Sequence, residues 1–258
     1  MAIITLTSDL GLKDYYVASV KGAILSQFPE AVIVDITHQI PAFDIIQTSI
    51  ILKNCYNDFP QGTVHVIGVN SEKDRDVPHV AVKYNGHYFI GADNGVFSLI
   101  FDYEPEEIVE INFPDIPFTT FATKDIFVRA ACMLAKGVEM KTLGVPKSQL
   151  EQKSMFRAIS EGDLIKGMVI YVDHYGNVLT NVTQAMMEEV GKERPFTLYF
   201  RGGDYNISKI NQYYHDVPEG ERVALYNSSG FIEIAINKGN ANKLFGIKQG
   251  DPIRIEFS

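Results

Sequence analysis

The sequence predicts an α/β domain followed by a small antiparallel β-barrel domain, and three observations lead to this fold class. In the first half, apolar runs typical of strands alternate with stretches typical of helices, which indicates a mainly parallel sheet. In the second half, short strand-like runs are separated by Gly, Asn and Asp turns, with hardly a long helix. Between the halves, Pro146 to Gly167 is polar and charged, which indicates a boundary. The predicted domains are residues 1–155 and 166–258, with a linker at 156–165.

The elements of the first domain follow in order from its apolar runs. Predicted strands occupy residues 2–8, 31–37, 63–69, 79–84 and 87–92. Predicted helices occupy residues 15–27, 45–55 and 124–136. The last of these helices ends at Gly137, because glycine readily takes the left-handed conformation that closes a helix. The pair Asn85-Gly86 lies between the last two strands and favours a tight hairpin turn there.

The second domain is predicted to contain five short strands. They occupy residues 166–173, 195–200, 222–227, 231–236 and 252–257. Their length and their separation by turn residues favour a small antiparallel barrel or a sandwich.

Composition and charge narrow the classes of partner. The 258 residues include 23 Lys and Arg against 32 Asp and Glu, a net charge of −9, and no basic run. A nucleic-acid partner and an anionic membrane surface are therefore not expected, since both require clustered basic residues. The start of the chain has no signal-peptide pattern and no apolar run is long enough to span a bilayer, so we predict a cytoplasmic protein. Cys55 and Cys132 stand alone, which favours buried reduced thiols.

Polar side chains directly after strands are the first candidates for chemistry, because ligands of α/β sheets bind beyond the carboxyl ends of the strands. Asp9 follows the first strand and Asp14 lies at a helix start, where either residue also suits a helix cap. In the second domain Asp173 ends a strand and is followed by an aromatic residue, a glycine and two amides. These groups suit a heterocycle, although the same pattern is typical of a simple hairpin turn.

Several common sites are not indicated. The six histidines show no ligand spacing, so no metal site is predicted. The chain has no GxxxxGK, GxGxxG or GxSxG motif, which removes the usual phosphate and dinucleotide cradles and the nucleophile elbow. The residues alone therefore predict a small-molecule site lined by carboxylates.

Seven strings, taken in order, resemble the S-adenosylmethionine hydrolase (hydroxide adenosyltransferase) family, which also contains the adenosyl fluorinase and chlorinase. The strings are TSDLGLKDYYVASVKG, VDITHQIPAFD, GTVHVIGVN, GADNGVFSLI, TTFATKDIFVRAA, DHYGNVLTNV and NSSGFIEIAINKGNA. They cover nearly the whole chain. The resemblance implies a Rossmann-like α/β domain, a C-terminal β-barrel domain, and a homotrimer whose active site lies between the first domain of one subunit and the second domain of the next. It implies neither a metal nor an organic cofactor.

The resemblance also gives roles to residues of the first domain. Asp9 matches the family residue that holds the ribose hydroxyls, and Phe43 matches a wall over the ribose. Asp14 matches a residue near the methionine end, and Asn94 of the GADNG string is placed among the substrate-binding residues.

In the second domain the resemblance implies four further contacts with the substrate. Asp173 matches the residue that takes the methionine ammonium, and Ser228 matches a contact to the methionine carboxylate. Tyr175 and Asn177 match the adenine-side aromatic and amide. The three aspartates suit a substrate with a net positive charge, and its sulfonium is an excellent leaving group, so the enzyme needs mainly to position and desolvate a small nucleophile.

The chain departs from the hydrolases where water is activated. The family has an Asp in an Asp-Pro-Gly-Val-Gly loop and a His in a Phe-His-Gly-Arg-Asp string. Asn70 and Ala122 stand at those two places here. The family Arg a few residues after the Asp aligns with Val77 by ungapped counting, and Arg75 fills that place only if the loop shifts.

Three hypotheses follow from these departures. In the first, Asn70 and Arg75 position water or hydroxide, and the enzyme hydrolyses S-adenosylmethionine to adenosine and L-methionine. In the second, a halide is the nucleophile, as in the halogenating members. In the third, the protein binds S-adenosylmethionine or adenosine without turnover. We rank hydrolysis first, because the first and last strings look more like the hydrolases than the halogenases.

Overall fold

A computed structural model describes residues 2–74, 76–116, 118–203 and 205–258 and divides the chain into two units. The first unit ends at Met155, and the second is Phe156–Ser258. This division lies at the start of the predicted linker. Among the described residues, no helix has the combination of length and apolar character that a membrane crossing requires.

The first unit is built on a seven-stranded sheet in the order β2-β1-β3-β5-β4-β6-β7. Its strands are β1 Ile3–Ser8, β2 Val32–Thr37, β3 Val64–Gly68, β4 His79–Tyr84, β5 His87–Ala92, β6 Glu107–Ile111 and β7 Gly144–Pro146. The strands β2, β1, β3 and β5 run parallel, whereas β4, β6 and β7 continue the sheet in antiparallel pairs. The parallel half confirms the predicted α/β class.

Helices cover both faces of this sheet. They are α1 Tyr16–Gln27, α2 Ile45–Lys53, α3 Val96–Ile100 and α4 Val128–Ala135. On one face, Ile24 of α1 and Ala131 of α4 belong to a core with Ile4 and Val66 of the strands. On the other face, the side chains of α2 and α3 form a second core with the alternate strand residues. Strands buried on both faces read as continuous apolar runs, which is why the sequence reveals them.

One local feature of the first unit agrees with the sequence prediction, and another differs from it. The predicted hairpin turn is present: Tyr84 pairs with His87, and Asn85 and Gly86 both have positive φ, as a two-residue turn with a right-handed twist requires. The helix predicted at 124–136 instead begins with a π-helical turn, Thr123–Phe127, and becomes α-helical only at Val128. Such turns are frequent at functional sites.

Over its described residues, the second unit has nine strands arranged as a nearly closed barrel. They are β8 Ile159–Glu161, β9 Leu164–Val172, β10 Val178–Thr183, β11 Phe196–Phe200, β12 Tyr205–Ile207, β13 Ile210–Asn211, β14 Arg222–Tyr226, β15 Phe231–Ile236 and β16 Pro252–Phe257. The order is β12-β11-β16-β9-β10-β15-β14-β13, and β8 pairs with β9. All pairs are antiparallel except β13 with β14. The strand β12, at one edge of the sheet, also contacts β14, which lies next to the other edge. This contact brings the sheet close to a closed barrel.

The second unit contains elements that the sequence patterns did not indicate. Part of the predicted linker forms β8, which pairs with the start of β9; its three residues are all exposed, so it has no apolar run to reveal it. Two short helices, α5 Gln184–Gly191 and α6 Ala241–Phe245, are capped by Thr183 and Asn240, whose side chains accept a backbone N–H each.

Candidate active site

A cavity of about 560 Å³ lies in the first unit, beyond the carboxyl ends of β1 and β3. This is the edge of a parallel sheet at which ligands bind. Its lining includes Asp9, Phe43, Asn70, Ser71, His79 and Ala122. The structure thus brings together three predicted site residues and the position of the missing family histidine.

Asp9 connects two loops at the cavity through one carboxylate oxygen. Its Oδ2 accepts a hydrogen bond from the Phe43 backbone N–H at 2.9 Å and a longer one from the Asn70 N–H at 3.4 Å. Both donors have left-handed backbone, with φ of 67° at Phe43 and 46° at Asn70. A bulky residue such as Phe rarely adopts this conformation, and such strain is typically held in place at functional sites. Asp9 is therefore part of what fixes the cavity walls.

The loop after β3 is held from the side of the protein interior. The Asn94 side chain, 5% exposed, donates from Nδ2 to the carbonyl oxygens of Val69 at 3.3 Å and Asn70 at 3.1 Å. His79, 1% exposed, donates from Nε2 to the Ser71 carbonyl at 3.0 Å. Three consecutive carbonyl groups thus have buried side-chain donors.

A pair of hydroxyl groups lies beside this loop. The Thr123 hydroxyl donates to the Ser71 Oγ at 3.1 Å, so the Ser71 proton remains available to a further acceptor. Thr123 can approach because residue 68 is glycine: a Cβ there would lie 2.7 Å from the Thr123 side chain. Thr123 follows Ala122 and begins the π-helical turn.

Burial determines the charge state of His79. Burial is the main cause that lowers its pKa to about 4, and the positive charge of Lys73 acts in the same direction. Its ring meets the Phe127 ring edge to face, with the centroids 4.8 Å apart. At neutral pH His79 is therefore an uncharged hydrogen-bond donor with a fixed ring.

In the second unit, the turn after β9 carries three predicted site residues. Both carboxylate oxygens of Asp173 accept from Asn177, one from its backbone N–H at 2.8 Å and one from its side-chain amide at 3.1 Å. Tyr175, at the tip, is 73% exposed. Gly176 has φ of 86°, and a Cβ on it would overlap the Asn240 side chain. The turn is thus closed by Asp173 and packed on Asn240, and the Tyr175 ring is left exposed.

A buried carboxyl group lies in the sheet of the second unit. Glu233 of β15 accepts a hydrogen bond from the Tyr214 hydroxyl at 2.6 Å. Burial raises the pKa of the Glu233 carboxyl, and the negative charge of Asp173 raises it further, while the bond from Tyr214 opposes them. The GFIEIAI string predicts only that Glu233 lies in a strand. The structure shows that this residue is buried.

The remaining predicted site residues are placed as follows. Asp14 lies on the exposed loop before α1 and outside the lining of the cavity. Ser228 is exposed in the turn between β14 and β15. Arg75 lies outside the described residues. The individual roles of all ten site residues stay predictions. The residues that sequence reasoning missed are His79 and Ser71, for which the only signal is their nearness to the end of β3 or the start of β4.

A search among the described residues finds no group of three His, Cys, Asp or Glu side chains placed to hold a metal ion.

Comparisons with known proteins cover both units. The model of the S-adenosylmethionine hydroxide adenosyltransferase N-terminal domain matches residues 4–144, and that of the C-terminal domain matches residues 167–254. A protein named (R)-S-adenosyl-L-methionine hydrolase from Thermus thermophilus is 29% identical, over 96% of this chain and 97% of its own length.

A fluorinase and a solved structure are also similar to the chain over nearly its whole length. A fluorinase from Nocardia brasiliensis is 23% identical, over 98% of this chain and 96% of its own length. Among solved structures, an uncharacterized conserved protein from Thermotoga maritima superposes with a TM-score of 0.88 at 30% identity, covering 98% of this chain and 99% of the other.

Proposed function

The chain belongs to the S-adenosylmethionine hydroxide adenosyltransferase family, and we propose that it cleaves S-adenosylmethionine at the ribose C5′ with water or hydroxide, giving adenosine and L-methionine. Full-length similarity to named S-adenosyl-L-methionine hydrolases supports this enzyme activity. The observation that carries the proposal is the cavity at the ends of β1 and β3, where Asp9 and Asn70 are joined by a hydrogen bond.

Asp9 is proposed to bind the ribose. Its Oδ2 is held by two backbone N–H groups, so the carboxylate has a fixed orientation before the substrate arrives. In this proposal the carboxylate accepts hydrogen bonds from the ribose hydroxyls, which are stronger than bonds between neutral groups. Phe43, on the opposite loop and 70% exposed, is proposed to cover the sugar.

Asn70 and Ser71 are proposed to orient the nucleophile. An oxygen lone pair of water attacks C5′, the bond from C5′ to sulfur breaks, and its electron pair neutralises the sulfonium to the thioether of methionine. The attacking water loses its proton to solvent. Because the sulfonium is so good a leaving group, an amide and a hydroxyl that orient water replace the acidic and basic groups of the family hydrolases.

The second unit is proposed to bind the rest of the substrate. Asp173 takes the ammonium group, Ser228 the carboxylate, and Tyr175 with Asn177 the adenine. The exposed Tyr175 ring supports a stacking role. We also propose a homotrimer with sites shared between subunits, and a cytoplasmic location. Light scattering of the purified protein tests the trimer.

One incubation tests the activity. The purified protein is mixed with each sulfonium epimer of S-adenosylmethionine in ¹⁸O-labelled water without halide. We expect adenosine and methionine in equal amounts, with the label at the adenosine 5′ oxygen. Background adenosine together with stoichiometric binding would overturn hydrolysis and support a binding protein. Formation of a 5′-halo-5′-deoxyadenosine only after halide addition would instead support the halogenase hypothesis, which the similarity to a fluorinase keeps as the second candidate.

A further inference from the structure

The backbone of residues 69–71 is fixed by two side chains that come from outside the loop. Asn94 holds the carbonyls of Val69 and Asn70, and His79 holds that of Ser71. We call these three bonds the carbonyl clamp. A buried carbonyl needs a donor, and here the donors come from the strand after the loop and from the turn after β5 rather than from the loop itself.

Both clamp residues come from the same end of one antiparallel pair of strands. His79 opens β4, Asn94 comes two residues after the end of β5, and His79 is the register partner of Ala92. The Asn94 amide is fixed in turn, because its Oδ1 accepts from the Val96 N–H at 3.2 Å. The His79 ring is fixed by its contact with Phe127. The clamp is therefore built on rigid elements on both sides.

The direction of the clamp determines which groups the loop presents. In a trans peptide the C=O and the following N–H point in opposite directions. Because the Val69 carbonyl is drawn to Asn94, the Asn70 N–H points the other way, and it is found on Asp9. By the same geometry the N–H groups of Ser71 and Glu72 point away from the clamp.

We propose that Asn94 and His79 are positioning residues, which hold residues 69–72 so that the N–H groups of Ser71 and Glu72 and the Ser71 hydroxyl are directed at the nucleophile. This inference rests on the hydrolysis proposed above. It assigns Asn94 an action through the loop instead of a direct contact with substrate. It also gives a reason for a buried histidine in the cavity wall of a chain whose family histidine is replaced by Ala122.

Four variants test the clamp, and one of them, Asn94→Leu, removes the amide donor of one clamp residue. His79→Phe keeps an aromatic ring against Phe127 and removes the donor, whereas His79→Gln restores an amide donor at the distance of Nε2. His87→Phe is the matched control, because His87 is equally buried in the first unit and contacts His65 rather than the loop.

Steady-state kinetics give the first readout. We expect His79→Phe to lower kcat by about 10 to 10²-fold, the effect of misplacing a reacting group by a fraction of an ångström to 1 Å. KM should change much less than kcat, because the Asp9 carboxylate remains. His79→Gln should recover most of the lost kcat, and His87→Phe should retain the wild-type kcat at temperatures where it is folded.

Hydrogen exchange of the amides of residues 70–72 gives a readout that does not need activity. Exchange should accelerate in His79→Phe and in Asn94→Leu, but not in His87→Phe or His79→Gln. Unchanged exchange in His79→Phe would show that there is no clamp. Accelerated exchange with an unchanged kcat would overturn the positioning role. A wild-type protein without turnover would refute the proposed function instead, and exchange would still decide whether the clamp exists.

Discussion

The loop after β3 in the first unit and the turn after β9 in the second carry the two main groups of predicted site residues, and they are fixed in different ways. The first depends on distant partners: Asp9 is 61 residues from Asn70, and Asn94 is 24 residues from it. The second is closed by Asp173 and Asn177, which are four residues apart. The first is held by residues from several strands, whereas the second is closed mainly by its own residues, with the start of α6 as its outside contact.

The two units also differ in which titratable side chains they bury. Among the described histidines, those of the first unit are buried, whereas His174 and His215 of the second are exposed. In the second unit the buried ionisable group is Glu233. The two units therefore differ in how their stability depends on pH as well as in how their sites are held.

The largest expected effect comes from Asp9→Asn, which removes the charge at the point where the two loops of the first unit meet. We expect kcat/KM to fall by about 10² to 10³, since each hydrogen bond to a charged group contributes about 1.5–3 kcal/mol. Asp102→Asn is the control, because it removes only an exposed ion pair with Lys53. Wild-type binding of S-adenosylmethionine by Asp9→Asn, measured by calorimetry, would show that Asp9 only holds the two loops together.

Gly176→Ala tests how closely the turn of the second unit packs against the residues that begin α6. The new Cβ would need left-handed backbone and would overlap Asn240, which also caps α6. We expect a loss of about 2 to 5 kcal/mol of unfolding free energy in urea. Gly230→Ala is the matched control, because its φ is also positive but nothing lies near the new Cβ, so the loss should be about 1 to 2 kcal/mol. Equal losses in both variants would contradict the packing argument.

Acid should unfold the first unit before the second. Burial lowers the pKa of His65 from 6.5 to about 3 and also lowers those of His79 and His87. Below pH 6.5 the unfolded chain binds protons that these buried rings do not, so stability falls as the pH falls. At pH 5 each strongly shifted histidine costs about 2 kcal/mol.

In the second unit, the buried carboxyl group of Glu233 should make stability depend on pH in the opposite direction. The raised pKa of Glu233 means that the folded state binds a proton more readily, so lowering the pH through its range adds stability. Hydrogen exchange at pH 7 and pH 5, followed separately in the two units, measures the difference. His65→Gln should reduce the acid sensitivity of the first unit alone, and equal acid sensitivity in both units would refute the argument.

Asn70→Asp is expected to give the smallest change, a rise in turnover of about tenfold. This is less than the roughly 10² to 10⁴-fold rate increase that a well-positioned general base contributes. The new carboxylate would accept the proton of the attacking water, but it would also be repelled by Asp9. Asn112→Asp adds a charge elsewhere in the same cavity wall and should give no rise. A fall in the turnover of Asn70→Asp would contradict the hydrolase hypothesis for this loop.

The parts of the fold that were predictable are those that the chain specifies locally. Buried parallel strands show apolar runs, and the Asn85-Gly86 turn needs only two residues. Asp9 and Asp173 were found because they follow strands directly. These signals were enough for the fold class and for two of the places where site residues gather.

The rest depends on contacts that no short window contains. The left-handed conformation of Phe43 follows from Asp9, which is 34 residues away. The exposed strand β8 has no apolar pattern, and the π-helical turn at Thr123 looks like an ordinary helix in sequence. His79 reads as the first residue of a strand, and its hydrogen bond to the Ser71 carbonyl becomes visible only when β4 pairs with β5, which in turn pairs with β3.

The carbonyl clamp has a consequence for how this site can change. Asn94 and His79 bind only main-chain atoms, so the clamp itself does not depend on the side chains at residues 70–73. The clamp therefore remains when these side chains are exchanged, although position 70 needs a residue that tolerates left-handed backbone and Ser71 also bonds Thr123. A library randomised at residues 70–73 on an intact Asn94 and His79 background would therefore be a suitable starting point for selecting a new nucleophile.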